Sequence, residues 1–252
     1  MSDGTFAGLR AIVTGGASGI GAAIAERLHD AGATVAVFDL NPANAPAGTL
    51  PFVCDVADSE RVGVAVREAV DALGGIDVLV NNAGIGAQGD VAANDDDEWR
   101  RVFDINVLGI VRMTRAALPY LRASDHAAVV NTCSIAATAG LPERALYSAS
   151  KGAVLALTRA MAADYLADGI RVNAVNPGTA DTPWVQRLLA SAADPEAERR
   201  ALEARQPHGR LVSADEVAGA VLYLADPGSA STTGVAIPVD GGMAELRLRP
   251  RS

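Results

Sequence analysis

Residues 10–39, RAIVTGGASGIGAAIAERLHDAGATVAVFD, decide the fold of this chain. They contain an apolar strand, a glycine-rich turn, an amphipathic helix and a second apolar strand that ends in a carboxylate, Asp39. This order is typical of the βαβ unit that binds dinucleotides at one edge of a parallel sheet. The segment therefore predicts an α/β fold with a phosphate-binding turn after its first strand.

The glycine turn carries the phosphate-binding interpretation, although a glycine pattern by itself is often only a turn. Gly15, Gly19 and Gly21 lie where the chain needs a tight turn, a close backbone approach to a pyrophosphate and an open helix N-terminus. Asp39 is placed to accept hydrogen bonds from the adenosine ribose hydroxyls. Because its carboxylate repels a 2′-phosphate, NAD is expected rather than NADP. The neighbouring positions offer no cation to receive that phosphate: Ala17, Ser18 and Leu40.

Apolar runs separated by helical patterns continue along the chain. They predict a single domain, residues 1–252, in which a doubly wound seven-stranded parallel sheet of Rossmann type carries helices on both faces. Residues 182–210 are expected to form a small helical lid between the sixth strand and the last helix. The expected strands are Ala11–Thr14, Thr34–Phe38, Pro51–Cys54, Val78–Asn81, Ala128–Thr132, Arg171–Val175 and Val235–Val239.

A second motif, Ser134, Tyr147 and Lys151, predicts proton transfer to or from a substrate oxygen. Tyr147 and Lys151 share one face of an apolar-periodic helix, so the ammonium lies within reach of the phenol. A nearby cation favours the phenolate, which suits Tyr147 to act as general acid or base. Ser134 follows the buried strand AAVVNTC and so lies at the edge of the sheet where open α/β folds bind ligands.

The Tyr-x3-Lys pair alone is more often a surface pair or a core tyrosine. Together with the glycine turn, however, it makes the chain resemble the classical short-chain dehydrogenase/reductase family, from about Leu9 to Met243. The sequence NNAG at Asn81–Gly84 is similar to the family's turn beside the cofactor. Asn106 in DINVLG matches the family's fourth catalytic position, which implies that it helps to hold a water in a proton relay from the lysine.

The resemblance also implies the cofactor-binding residues. Asp55 and Val56 match positions that contact adenine, and Thr179 and Thr182 match positions that bind the nicotinamide carboxamide. The full implied set is Gly15, Ser18, Gly19, Ile20, Gly21, Asp39, Asp55, Val56, Asn82, Ala83, Gly84, Tyr147, Lys151, Pro177, Gly178, Thr179 and Thr182.

The lid contains the candidate determinants of substrate choice. We expect Leu188, Leu189 and Leu202 to pack against the body of the fold. Trp184 has two open interpretations, as a core residue or as a wall of the pocket.

Three arginines, Arg144, Arg187 and Arg205, are candidate anchors for a carboxylate, although lid arginines more often only solvate a helix face. The stretches GLPERALYSASK, NPGTADTPWVQRLL and EARQPHGR resemble a subgroup of this family. It contains 2-keto-3-deoxy-L-fuconate-type sugar-acid dehydrogenases, bacterial L-fucose-pathway enzymes and cytosolic-type 3-hydroxybutyrate dehydrogenases. That resemblance implies that Arg144 and Arg205 bind a substrate carboxylate with Gln206 beside them, and it leaves Arg187 open.

Composition excludes several classes of function. A formal net charge of −9 would repel nucleic acid and anionic membranes. No run of about 18 apolar residues could span a bilayer, and the opening residues lack a signal-peptide core, so a cytoplasmic location is expected. Cys54 and Cys133 are expected to be buried thiols. The histidines are scattered and the acidic run Asp95–Glu98 is interpreted as a solvated helix start, so no metal site is predicted.

These observations predict an NAD-dependent dehydrogenase that oxidises a secondary alcohol of a small hydroxy acid, with a deoxy sugar acid such as 2-keto-3-deoxy-L-fuconate as the expected substrate. The alternatives are a general sugar dehydrogenase, a 3-hydroxybutyrate dehydrogenase and a 3-oxoacyl carrier-protein reductase, whose NADPH fits Asp39 poorly. A non-catalytic NAD-binding regulatory protein on the same fold is a further alternative. The expected substrate-binding residues are Ser134, Arg144, Tyr147, Arg205 and Gln206.

The resemblance further implies a homotetramer, because family members usually pair the helices that carry Asn106 and Tyr147. A face of small residues would let such helices approach closely. The alternative is that these residues pack on the subunit's own sheet. They are Ala149, Gly152, Ala153, Ala156, Ala160 and Ala163.

Overall fold

A parallel sheet runs through the centre of the computed structural model, which describes residues 4–190 and 192–249. Within these residues it has seven strands, in the order β3-β2-β1-β4-β5-β6-β7. The prediction of a doubly wound seven-stranded sheet is confirmed, with each strand end within two residues of its expected position. The strands are β1 (Arg10–Thr14), β2 (Thr34–Asp39), β3 (Leu50–Val53), β4 (Val78–Asn81), β5 (Ala128–Thr132), β6 (Arg171–Pro177) and β7 (Ala236–Val239).

Helices cover both faces of the sheet because alternate strand residues point to opposite sides and both sides are apolar. Ile12 faces the core formed with α2, α4 and α5, whereas Val13 faces the core formed with α1 and α8. The helices are α1 (Gly19–Asp30), α2 (Ser59–Leu73), α3 (Asp96–Phe103), α4 (Gly109–Leu121), α5 (Ala145–Asp164), α6 (Pro183–Ala190), α7 (Pro195–Ala204) and α8 (Ala214–Ala225).

The expected lid is formed by α6 and α7, but its leucines behave differently from the prediction. Leu189 and Leu202 are buried together with Val185 and Leu211 in a small core of their own. Leu188 is half-buried and lies outside that core. Leu189 and Leu202 therefore pack within the lid and with Leu211, the residue that follows it, since side chains of two short helices can face each other as well as the sheet.

The acidic run starts α3, as expected. Asp95 is the N-cap residue, and its carboxylate accepts from the backbone N–H of Glu98 at 2.8 Å. The predicted thiols are also confirmed, because Cys54 and Cys133 are free and buried. Burial raises the pKa of Cys54 to about 11, so this thiol stays protonated and unreactive at neutral pH. No helix in the described ranges is long and apolar enough to cross a membrane.

One buried ion pair ties the start of β1 to the start of β4. The Arg10 guanidinium donates to both carboxylate oxygens of Asp77, at 2.7 and 2.8 Å, and Ser124 Oγ donates to the same carboxylate at 2.5 Å. Asp77 is 3% exposed. Burial alone would raise the pKa of Asp77, but the hydrogen bonds from Arg10 and Ser124 lower it below its ordinary value.

This pair predicts a pH-dependent contribution to stability. Because the pKa of Asp77 is lower in the folded chain, its stabilisation is present above about pH 4 and is lost as the pH falls through the folded value. Asp77→Asn should therefore lower the free energy of unfolding by about 2 kcal/mol at neutral pH. Urea unfolding at several pH values should show the gap to wild type closing below about pH 4. The control Asp168→Asn removes one partner of the Arg122–Asp168 pair, which is more exposed than the Arg10–Asp77 pair, and should cost less than about 1 kcal/mol. If the difference in unfolding free energy between wild type and Asp77→Asn did not change with pH, the proposed role of the Asp77 carboxylate would be contradicted.

Candidate active site

A cavity of about 640 Å³ opens between the carboxyl ends of the strands and the lid. Its wall includes the glycine turn and the end of β2 on one side, and Ser134, Tyr147 and Lys151 on the other. The lid helices α6 and α7 supply the remaining wall. The two sequence motifs thus share one cavity at the position where doubly wound sheets bind ligands.

The turn between β1 and α1 has the shape of a phosphate cradle. Gly15 and Gly19 adopt left-handed backbone conformations, with φ of 62° and 54°, which glycine tolerates without steric cost. Ser18 is the N-cap residue of α1 but makes no side-chain cap bond, so the helix N-terminus lies open to the cavity.

Gly21 has a packing role, because it does not line the cavity. A Cβ atom at this position would lie 2.1 Å from the carbonyl oxygen of Gly15 and 2.5 Å from Asn82 Nδ2. The helix can approach the turn this closely only with glycine at position 21. The turn residues therefore fit a dinucleotide, with Gly15 and Gly19 facing it and Gly21 supporting them from behind.

Asp39 lies at the end of β2 and holds the turn as well as facing the cavity. Its Oδ2 accepts from the backbone N–H of Ala17 at 3.2 Å, and its Oδ1 accepts from Asn41 at 3.0 Å. Asn82 supports the turn from the end of β4, since its Nδ2 donates to the carbonyl of Thr14 at 3.1 Å. These bonds fix a carboxylate at the end of β2, on the cavity wall.

The other implied cofactor-binding residues line the same cavity. They come from loops at the ends of β3, β4 and β6, which the parallel sheet brings to one edge. They are Ile20, Asp55, Val56, Asn82, Ala83, Gly84, Pro177, Gly178, Thr179 and Thr182.

Ser134, Tyr147 and Lys151 are brought together by β5 and the first turns of α5. Lys151 is buried, with Nζ donating to the carbonyl of Thr132 at 2.9 Å and lying 5.8 Å from the centroid of the Tyr147 ring. Ser134 Oγ accepts from the backbone N–H of Ala136 at 3.1 Å, so the hydroxyl proton is available to another acceptor. This arrangement can bind an alcohol or carbonyl oxygen and exchange a proton with it.

Asn106 is placed differently from the other predicted catalytic residues. It lies in a π-helical turn, Asp104–Leu108, between α3 and α4, and it is 1% exposed. Its Oδ1 accepts from the N–H of Ile85 at 2.8 Å, while Nδ2 donates to the Ile85 carbonyl at 2.9 Å and to Ser150 Oγ at 3.1 Å. The Asn106 side chain therefore joins the loop after β4 to α5 and does not itself line the cavity.

Besides Arg101 on α3, three arginines line the cavity wall: Arg144 before α5, and Arg187 and Arg205 on the lid. Among the described residues, none of the three forms a salt bridge with a carboxylate. Burial and the nearby charge of Arg205 lower the pKa of Arg144. The charges of Glu143 and Glu198 act in the opposite direction, but neither carboxylate is in salt-bridge contact with Arg144 in the described chain. Two neighbouring positive charges without a salt bridge favour binding of an anion.

Gln206 does not join these arginines. It is 1% exposed, and its Nε2 donates to the carbonyls of Thr179 and Arg210, at 3.1 and 2.7 Å. It does not line the cavity. The structure therefore places the residue expected beside the substrate in the joint between the lid and β6.

Comparison with known proteins agrees with this geometry. The profile of a family described as enoyl-(acyl carrier protein) reductase matches residues 15–244. Among curated relatives, the cis-4-hydroxycyclohexanecarboxylate dehydrogenase of Sinomonas cyclohexanicum is 40% identical over 94% of this chain and 97% of its own. The 2-keto-3-deoxy-L-fuconate dehydrogenase of Xanthomonas campestris is 37% identical over 93% of this chain and 80% of its own.

The chain belongs to the classical short-chain dehydrogenase/reductase family. A solved structure, the 3-ketoacyl-(acyl-carrier-protein) reductase of Brucella melitensis complexed with NADH, superposes with a TM-score of 0.87 at 31% identity. The superposition covers 95% of this chain and 99% of that one. This short-chain dehydrogenase/reductase is an NAD(H)-dependent oxidoreductase.

Sequence reasoning missed several residues of the cavity wall. Trp184, left open above, lies on this wall, with its ring against Gly86 of the loop after β4. Leu141 and Arg101 also line the cavity. Leu141 lies in a loop between β5 and α5, where no periodicity marks the direction of a side chain. For Arg101, the only signal in the sequence is its position five residues before Asn106.

Proposed function

We propose that this enzyme oxidises a secondary alcohol of a small hydroxy acid. The observation that carries the proposal is the presence of Arg144, Arg187 and Arg205, none of which forms a salt bridge in the described chain, on the wall that also holds Ser134 and Tyr147. The same cavity thus offers groups that suit a hydroxyl and groups that suit an anion.

Tyr147 and Ser134 would hold the substrate hydroxyl. Ser134 has a free proton to donate, and Tyr147 would remove the hydroxyl proton as the alcohol becomes a carbonyl. The Lys151 ammonium lies 5.8 Å from the Tyr147 ring centroid, so a positive charge lies beside the side chain that would take the proton. NAD, when bound, accepts the hydride from the carbinol carbon. The residues that would hold NAD include Gly15, Gly19 and Asp39.

Asn106 would act as a positioning residue in this reaction. Its amide fixes the backbone of Ile85 and the side chain of Ser150, one residue before Lys151. The side-chain bonds of Asn106 to these two residues support the positioning role. The role in a proton relay, which the family resemblance implies, is proposed in addition to it.

Two alternatives are weaker. A reductase for acyl groups on an acidic carrier protein would need a basic landing surface, whereas the chain has a net charge of −9. A non-catalytic NAD-binding protein does not require a buried lysine beside the tyrosine and serine of the cavity.

The first test replaces the proton-transfer group. Tyr147→Phe should lower kcat at least about 1000-fold, because the phenol contributes both a hydrogen bond and the general base. The dissociation constant for NAD, measured by calorimetry, should stay within about threefold of wild type. Turnover close to that of wild type would show that Tyr147 is not the base. The control Tyr223→Phe alters an exposed tyrosine on α8 and should change neither quantity.

The second test concerns the anion. Arg144→Met and Arg205→Met should each raise KM for a hydroxy acid at least about tenfold, because a charge-assisted pair is lost while apolar bulk remains. The KM for the corresponding neutral alcohol should change little. The control Arg200→Met removes an exposed arginine of α7 that pairs with Glu196. Equal effects on acid and neutral substrates would show that the arginines are structural, and a general alcohol or sugar dehydrogenase would then be favoured.

We also propose a homotetramer. The small-residue face of α5 does not pack on the sheet of its own subunit, since Ala149, Ala156, Ala160 and Ala163 are exposed. Light scattering should give about four times the chain mass of 25.7 kDa. Ala156→Arg should reduce the assembly size, because a long charged side chain prevents close helix contact. A wild-type monomer at micromolar concentration would exclude the assembly.

A further inference from the structure

The lid and the loops after β4 and β5 contribute apolar side chains to the cavity wall. Ser134, Tyr147, Arg144 and Arg205 come from the same lid and loops or from the start of α5, and they line the same cavity. Among the described residues, the apolar side chains that these segments contribute include Ala87, Ile135, Leu141, Trp184, Leu188 and Leu202.

These six side chains offer a single hydrogen-bonding group, the indole N–H of Trp184, which can donate but cannot accept. Gln206, the residue expected to add an amide here, does not line the cavity: its Nε2 donates to two carbonyls in the joint between the lid and β6, and its Oε1 is buried without a hydrogen-bond partner among the described residues. The threonines of the cavity lie at the end of β5 (Thr132) and on the loop after β6 (Thr179 and Thr182), where the family binds nicotinamide. A substrate hydroxyl packed against the six apolar side chains would therefore find no acceptor among them.

We infer that the substrate is a hydroxy acid with a hydrocarbon skeleton between its hydroxyl and its acid group, rather than a polyhydroxylated sugar acid. This inference rests on the proposed function and narrows it. The apolar wall gains by burying hydrocarbon, and it disfavours each extra hydroxyl that must leave water unpaired. The deoxy sugar acid expected from sequence resemblance would place several hydroxyls against leucine and tryptophan.

The test compares acids that differ only in added hydroxyls. The first pair is 3-hydroxybutyrate and 2,3,4-trihydroxybutanoate, and the second is 5-hydroxyhexanoate and 2,3,4,5-tetrahydroxyhexanoate. In each pair the chain length and the carboxylate are the same. An apolar pocket rejects one added hydroxyl by about 100-fold in kcat/KM, so we expect the monohydroxy acid to be favoured by at least about 100-fold. NADH formation with wild-type enzyme measures this ratio.

A matched pair of variants tests the wall itself. Leu188 is half-buried and lines the cavity, and Leu188→Gln would supply an acceptor and a donor there. It should lower the preference for the monohydroxy acid at least about tenfold. The control Leu166→Gln changes a leucine that is 62% exposed and outside the cavity, and it should leave the ratio unchanged. Circular dichroism checks that both variants fold. If either variant does not fold, the ratio of kcat/KM for the two acids of each pair, measured with wild type, tests the inference.

The possible failures are distinguishable. If wild type oxidises acids but uses the polyhydroxylated member of each pair equally well or better, the inference is overturned while the arginine anchor stands. If wild type oxidises 2-butanol and 2-hexanol as well as the acids, the proposed function falls, and the inference falls with it. A strong preference for monohydroxy acids that Leu188→Gln weakens supports both.

Discussion

The buried ammonium of Lys151 is the constraint on which the active site depends. A charge that is 5% exposed is stable only when polar groups surround it, and here Nζ donates to the carbonyl of Thr132 at the end of β5. This bond sets α5 against the end of the sheet and so positions Tyr147, one turn earlier, toward the cavity.

A buried polar network holds these elements in register behind the site. Asn81 on β4 donates to Asn131 on β5 at 2.9 Å, and Asn131 donates to Thr158 on α5 at 2.9 Å. Such bonds are stronger in the apolar interior than in water, and each member is costly to leave unpaired. The cofactor and proton-transfer halves of the cavity are therefore built on a rigid scaffold. Substrate choice, in contrast, is assigned to the lid, which has its own small core and contacts the body through residues such as Trp184 and Gln206.

Sequence predicted the parts of the molecule that local rules determine. The βαβ unit, all strands and the sharing of one edge by Ser134 and the glycine turn follow from periodicity and the geometry of parallel sheets. The sequence pattern did not show that Leu189 and Leu202 share a small core with Val185 and Leu211, because this depends on how two short helices pack against each other. Gln206 was misplaced for a similar reason, since the direction of one amide is set by the carbonyls that the folded lid presents. The burial of Asn106 depends on a π-helical turn, which the sequence pattern does not reveal.

The central claim is direct transfer of hydrogen from a carbinol carbon to NAD in a cavity where Tyr147 and Ser134 hold the oxygen. It is tested most directly with 3-hydroxybutyrate carrying deuterium on C3, by following the label with mass spectrometry and NMR. The account predicts that the label is recovered on the reduced nicotinamide, at one face of the ring and without loss to water. Reduced cofactor that contains only solvent hydrogen would contradict it.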